Sequence, residues 1–178
     1  MLKKILIVLG TLIVVFFVAA ALRSPTFRIA RSISIDAPAS VVFPQVNDFH
    51  NWDNWSPYAK MDPQMKKSYE GASAGPGAIY TWDGPEAGQG RMTITETRPD
   101  ELVRIKLEFT KPFEATNQAE FTFTPQGRRT LVEWRMSGEN NFIGKAMGMV
   151  MDFDTMIGKD FEKGLVDMKA VAESKSKS

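Results

Sequence analysis

The sequence predicts an α+β fold, a curved antiparallel sheet wrapped around a long C-terminal helix and preceded by a separate apolar helix. Three observations predict it. Residues 5–22 form an apolar run without charge. Between residues 27 and 138, short segments alternate apolar and polar positions and are separated by Gly, Pro, Asp and Asn. Strands joined in series by short turns make an antiparallel meander with one face inward. From residue 142 to 173, apolar residues recur at helical spacing.

The first element follows Lys3 and Lys4 and is just long enough to cross a bilayer core as a helix. A cleaved signal peptide competes with a retained anchor, because Ala19, Ala20 and Ala21 supply small residues for a cut. The run is longer than a signal core and stays bulky up to Phe17 and Val18, which favours the anchor. A helix apolar all round at an extreme terminus has little to be buried by, so a core helix is the weaker alternative. Lys3 and Lys4 favour a cytoplasmic N-terminus, although Arg23, Arg28 and Arg31 follow the run. The expected arrangement is a cytoplasmic tail at 1–4, a transmembrane helix or signal peptide at 5–22, and the main domain on the extracytoplasmic, periplasmic side.

Strands come next. Phe27, Ile29, Ile33 and Ile35 alternate with Arg28, Ser32, Ser34 and Asp36. "DAPASVVFPQV" (36–46) reads as a short packed helix after Pro38 and Ser40. "HNWDNWSPY" (50–58) then sets Trp52 and Trp55 at i and i+3 in a polar segment, on one side of a helical turn. Trp52 is expected to pack inward and Trp55 to cover a rim. The meander continues through "KKSYEG", "GAIYTWDG" with Tyr80 and Trp82 on one face, "GRMTITET", and "LVRIKLEF" after a turn at "RPDE". "AEFTFTP" contributes Phe121 and Phe123, and "TLVEWRMSG" contributes Val132, Trp134 and Met136.

The last element reads as one helix over 142–173 with Asn140 and Asn141 as caps. A wheel at about 100° per residue gathers Ile143, Ala146, Met147, Val150, Phe153, Ile157, Phe161, Leu165 and Met168 on one arc. Met147, Met149, Met151, Met156 and Met168 make this helix rich in flexible thioethers, which suit an adaptable apolar wall. Asp154 falls inside the arc, where an ionised carboxylate is costly unless it is bonded or hydrated. It is expected either to be satisfied locally or to face a cavity.

Composition removes several function classes. Hydrophobic residues make up 43% of the chain, enough for a core and too many for a disordered polymer. A net charge of +1 without a long basic run argues against nucleic acid as a partner. Cysteine is absent, which removes disulfides, thiolate catalysis and Cys-based metal sites. The single histidine, His50, is a poor metal ligand alone and reads as a solvent-facing loop residue. "GASAGPG" (71–77) lacks the Lys and following helix of a phosphate loop. Asp152, Asp154 and Asp160 are spread round the helix, so no metal and no cofactor are expected. Acid–base work by Asp154 with Tyr69 or Tyr80 is the remaining catalytic possibility.

On "DAPASVVFPQVNDFHNWDNWSPY" (36–58), "GPGAIYTWDG" (75–84), "RIKLEFTKPFEATNQAEFTF" (104–123) and "MDFDTMIGKDFEKGL" (151–165), the chain resembles the bacterial polyketide cyclase/dehydrase-like branch of the SRPBCC, START-like superfamily. The resemblance covers about residues 27–173 and implies the helix-grip fold of the Bet v 1 type. It also implies a cavity between sheet and C-terminal helix for a hydrophobic or amphipathic, lipid-like small molecule, in a domain at 27–173 followed by a flexible tail at 174–178. The residues expected to line it are Trp52, Tyr80, Trp82, Phe121, Trp134, Met147, Phe153, Asp154, Ile157 and Phe161. No catalytic motif carries over, so binding is favoured over catalysis. A cyclase or dehydratase using the same cavity is the alternative, and a co-chaperone-like interaction module is the second.

Overall fold

In the computed structural model, residues 1–176 are described. A seven-stranded sheet has the order β1-β7-β6-β5-β4-β3-β2. Its strands are β1 (Thr26–Ile35), β2 (Lys66–Gly71), β3 (Ala78–Gly84), β4 (Gly88–Arg98), β5 (Leu102–Lys111), β6 (Ala115–Gln126) and β7 (Arg129–Glu139). Every neighbouring pair is antiparallel, so β2 to β7 are the expected meander and β1 closes it by pairing with β7. Period-2 patterning sets the faces. Thr130, Val132, Trp134 and Met136 of β7 all point into the core. The opposite face is polar, and there Glu120 accepts from Arg104 Nε and Arg135 Nη1, each at 2.7 Å. The β3–β4 turn needs a glycine: Gly88 has φ 69°, and a Cβ there would lie 2.4 Å from the Lys111 carbonyl oxygen.

Helices fill the concave side. α2 (Ala39–Val42) and α3 (Pro44–Asn47) follow β1, and two 3₁₀ turns, Phe49–Asn54 and Pro57–Lys60, lead into β2. After β7 the single helix expected over 142–173 is two helices, α4 (Phe142–Met147) and α5 (Phe153–Lys175). Caps explain the break. Asn141 accepts from Gly144 N at 2.9 Å to start α4, and Gly148 ends it. Asp152 then accepts from Thr155 N at 3.1 Å and Thr155 Oγ1 at 2.6 Å to start α5. A wheel drawn through the break loses its phase. Ile143, Met147 and Val150, expected inside, are exposed, whereas Phe161, Leu165 and Met168 are buried as expected. Each of these three is worth roughly 1.5–3 kcal/mol of burial. The buried stripe also contains Gly158 and Gly164. Because α5 reaches Lys175, Ser174 and Lys175 are helical rather than part of a flexible tail. Residues 177–178 of that expected tail lie outside the described residues.

The polar side of α5 is tied to β1. Arg31 Nε donates to Glu162 at 2.8 Å, Lys169 Nζ to the Ser34 carbonyl at 2.8 Å, and the Asp36 amide to Glu173 at 2.8 Å. The apolar N-terminal run forms α1 (Leu2–Leu22), with a mean hydropathy of 3.1 in its most apolar window and only 6% of that window buried. α1 is therefore not a core helix. Its C-terminal end alone meets the domain, through Phe17 stacked on Phe142 at 5.9 Å and Lys145 Nζ donating to the Ala21 carbonyl at 2.7 Å.

Candidate ligand cavity between the sheet and the C-terminal helix

Trp52 lies in the first 3₁₀ turn, which is capped by Asp48, accepting from His50 N at 2.9 Å, and Trp55 ends the turn by donating its amide to the Trp52 carbonyl at 3.2 Å. Three residues per turn eclipses i and i+3, so the Trp52 and Trp55 rings lie on the same side, 4.8 Å apart. Both indole N–H groups donate to backbone carbonyls, Trp52 to Val46 at 3.0 Å and Trp55 to Gln45 at 2.8 Å. Trp55 is completely buried, so it plugs the core and does not cover a rim. Trp52, also buried, forms part of a cavity wall.

That cavity has a volume of about 270 Å³. Tyr80 and Trp82 of β3, Met92 of β4, and Leu107 and Phe109 of β5 form one side. Ala119 of β6 and Trp134 and Met136 of β7 continue it, and Ile157 and Phe161 of α5 face them. Trp134 and Phe161 stack at 3.9 Å with an interplanar angle of 8°. Phe121 lies behind Trp134 at 5.0 Å and supports the wall without lining it. Gly164 permits this packing: a Cβ there would lie 2.8 Å from Pro57 Cδ and 3.0 Å from Trp134 Cζ3.

Polar groups in the lining are few. Tyr58 and Tyr80 contribute phenols, and burial pushes both well above the usual tyrosine range. The Asp160 charge adds to the rise at Tyr58, and Tyr69 and Asp53 add to that at Tyr80. Both hydroxyls are thus neutral at physiological pH and act as donors or acceptors rather than as phenolates. Neither has a hydrogen-bond partner among the described residues. The Trp134 indole N–H, surrounded by the rings of Trp55, Tyr58 and Phe161, is the lining's buried polar atom without a hydrogen-bond partner among the described residues. Of the carboxylates in the lining, Asp53 is held by Lys67 Nζ at 2.6 Å and Asp160 lies beside Tyr58.

Six of the residues expected in the site meet in this cavity: Trp52, Tyr80, Trp82, Trp134, Ile157 and Phe161. Met147, Phe153 and Asp154 instead border a wider cleft of about 820 Å³ beside α4 and the start of α5. Asp154 is the main displacement. It is the acidic residue of the first turn of α5, exposed and paired with Arg31 Nη2 at 3.0 Å. A carboxylate there is favoured by the helix N-terminus. It is neither inside the apolar arc nor beside Tyr80, so the acid–base pairing considered for it is not assembled. His50 stacks on Tyr69 at 4.2 Å and its Nδ1 lies 2.8 Å from Asp48, on the surface as expected. Sequence reasoning left out Met92, Leu107 and Met136, although each shares the inward phase of its strand. Tyr58 carries no periodic signal and is placed by the second 3₁₀ turn. Among the described residues, no group of three or more His, Asp or Glu is placed to hold a metal ion.

A family model described as "Polyketide cyclase / dehydrase and lipid transport" matches residues 26–173. No curated protein matches the chain. Solved structures share the fold at low identity. A solution structure from Thermobifida fusca is 21% identical, with 80% of this chain and 90% of that one covered and a TM-score of 0.61. The crystal structure of Ara h 8.0201 is 10% identical, covering 84% and 99%, with a TM-score of 0.59. The Aha1 dimer from Colwellia psychrerythraea is 13% identical, covering 83% and 96%, with a TM-score of 0.58.

Proposed function

As the chain belongs to the polyketide cyclase/dehydrase and lipid transport family, we propose that it binds one hydrophobic or amphipathic small molecule in the 270 Å³ cavity while α1 anchors it to a membrane. The observation that carries the reading is an aromatic cavity whose buried Trp134 indole N–H and two phenol hydroxyls have no partner among the described residues. An apolar hole with a few convergent polar groups is the usual form of a small-molecule site. Buried polar atoms are normally satisfied, and a ligand acceptor would satisfy the buried Trp134 indole N–H, while the two phenols offer further bonds to a polar group of the ligand. The family description names lipid transport, which supports a lipid-like ligand. Binding needs no reacting pair, and the lining residues offer no nucleophile–base pair of the usual kind. An interaction module would need no ligand-sized cavity, so the hole also weighs against the co-chaperone-like alternative.

Filling the hole tests this. Ala119 is a small, buried lining residue on β6. Ala119→Phe should abolish binding of a naphthylamine fluorescent probe, and the domain should still melt cooperatively. Native mass spectrometry of the wild type should show a co-purified small molecule that the variant lacks. Equal probe binding by a folded Ala119→Phe protein would overturn the reading.

A further inference from the structure

α1 fixes where part of the domain lies, if the chain is anchored as proposed above. Its 21 residues span about 31 Å, close to the thickness of a bilayer core. Phe17 lies one to two turns before the end of that span, so its ring is inside the hydrocarbon boundary. Phe142, the first residue of α4, stacks on it at 5.9 Å. Two cations fasten the neighbouring chain to the end of α1. Lys145 Nζ donates to the Ala21 carbonyl at 2.7 Å, and Arg23 Nη1 donates to the Gly148 carbonyl at 2.6 Å. Basic side chains at the end of an apolar span lie at head-group level.

The segment held there is apolar and uncovered. Ile143 is 56% exposed and Val150 75%, and Phe113 on the β5–β6 turn is 65% exposed across the same cleft. Exposed apolar groups of this kind have no reason to face water beside a membrane span. The cleft they border also reaches inward. Phe109, Met136 and Ile157 line both the cleft and the inner cavity, so these three side chains form the partition between them.

We propose that α4 and the segment 148–152 lie in the head-group boundary of the bilayer that α1 spans, and that the cleft is a portal through which a single amphipathic lipid molecule passes from bilayer to cavity. The proposal rests on the anchored-binder reading. It commits the exposed face to lipid rather than to a protein partner or a second copy, because Phe142 and α1 are one continuous surface.

The chain has no cysteine, so single cysteines report depth cleanly. Full-length Val150→Cys, Phe113→Cys and Arg128→Cys proteins would be labelled with a fluorophore in phosphatidylcholine–phosphatidylglycerol vesicles carrying a chain quencher. Labels at Val150 and Phe113 should be quenched, and the label at Arg128, in the β6–β7 turn at the far end, should not. Equal behaviour at all three overturns the proposal. Protection from water at Val150 without lipid quenching marks a protein partner or a second copy and overturns it as well.

Transfer is read separately with a dansyl-labelled fatty acid. The Ile143→Asp/Val150→Asp protein should take the probe from vesicles about tenfold or more slowly relative to its own binding of the probe from water, because a carboxylate resists entry into the boundary. Equal changes by both routes overturn the portal and leave the cavity standing. Failure of the wild type to bind the probe even from water refutes the cavity reading instead.

Discussion

Asp62 is buried, and its carboxylate accepts backbone N–H bonds from Gln64 at 3.0 Å, Glu86 at 2.8 Å and Ala87 at 3.1 Å. These bonds, the one from Glu86 foremost, hold its pKa below the usual carboxylate range. A group lowered in the folded state stabilises above its unfolded pKa, about 3.9 for Asp, and that contribution is lost as pH falls through the folded value. The melting temperature of the wild type should therefore fall more steeply below about pH 4 than that of Asp62→Asn. At pH 7 the variant should be the less stable. A parallel slope in the two titrations would mean that the loop is held by something else. Asp154 gives the opposite expectation. Its side chain is 59% exposed and its half-buried partner Arg31 keeps Glu162, so Asp154→Asn should cost at most about 1 kcal/mol in a denaturant titration. Probe binding in the cavity should not change. In the sequence, Asp154 shows only its place on a wheel. Glu86 and Ala87, which hold Asp62, and Arg31, which holds Asp154, come from segments distant in the chain, which local pattern does not encode.

Gly158 and Gly164 separate two kinds of close approach along α5. A Cβ at Gly158 would lie 2.0 Å from Arg31 Nη2, the far end of a flexible side chain. A Cβ at Gly164 would meet the Pro57 ring at 2.8 Å and the Trp134 ring at 3.0 Å, both rigid and packed. Alanine gains about 1 kcal/mol of helix propensity at either position. Gly158→Ala should accordingly be close to neutral in a thermal melt, with Arg31 swinging off Asp154 and Glu162. Gly164→Ala should destabilise by about 1–3 kcal/mol, and its melt should show this despite the propensity gain. Were Gly164→Ala stabilising, the Trp134–Phe161 stack would have more slack than its 3.9 Å spacing shows. Strands were legible at this scale because period 2 survives short turns, and the strands expected from pattern are all present. The α4–α5 break leaves only a weak mark in the sequence, Gly148 and the Asp152–Thr155 cap. Apolar residues continue across it, so periodicity alone carried one helix through. For the same reason the cavity wall from β3, β7 and the middle of α5 was legible, and the wall assigned to 147–154 was not.

At the scale of the whole molecule, α1 and the domain share little surface. Ala20 is the only buried residue of α1, and the contacts between them include Phe17 on Phe142 and the hydrogen bonds of Lys145 and Arg23. The sheet, the α5 stripe and the cavity make no use of α1. α1 and the domain are therefore separable in stability. Intact protein should fractionate with membranes and resist carbonate extraction. Cleavage at a protease site inserted after Ser24 should release a domain whose melting temperature, measured against the uncleaved protein in the same detergent, shifts by no more than about 2–4 °C, the equivalent of about 1 kcal/mol for a domain of this size. That small loss corresponds to one aromatic stack, the burial of Ala20 and three exposed charged hydrogen bonds. Unfolding of the released domain would show that α1 is structural. Protein recovered soluble from cells, with its N-terminus just after Ala21, would show that α1 is a signal sequence, and Phe142 would then be left facing water.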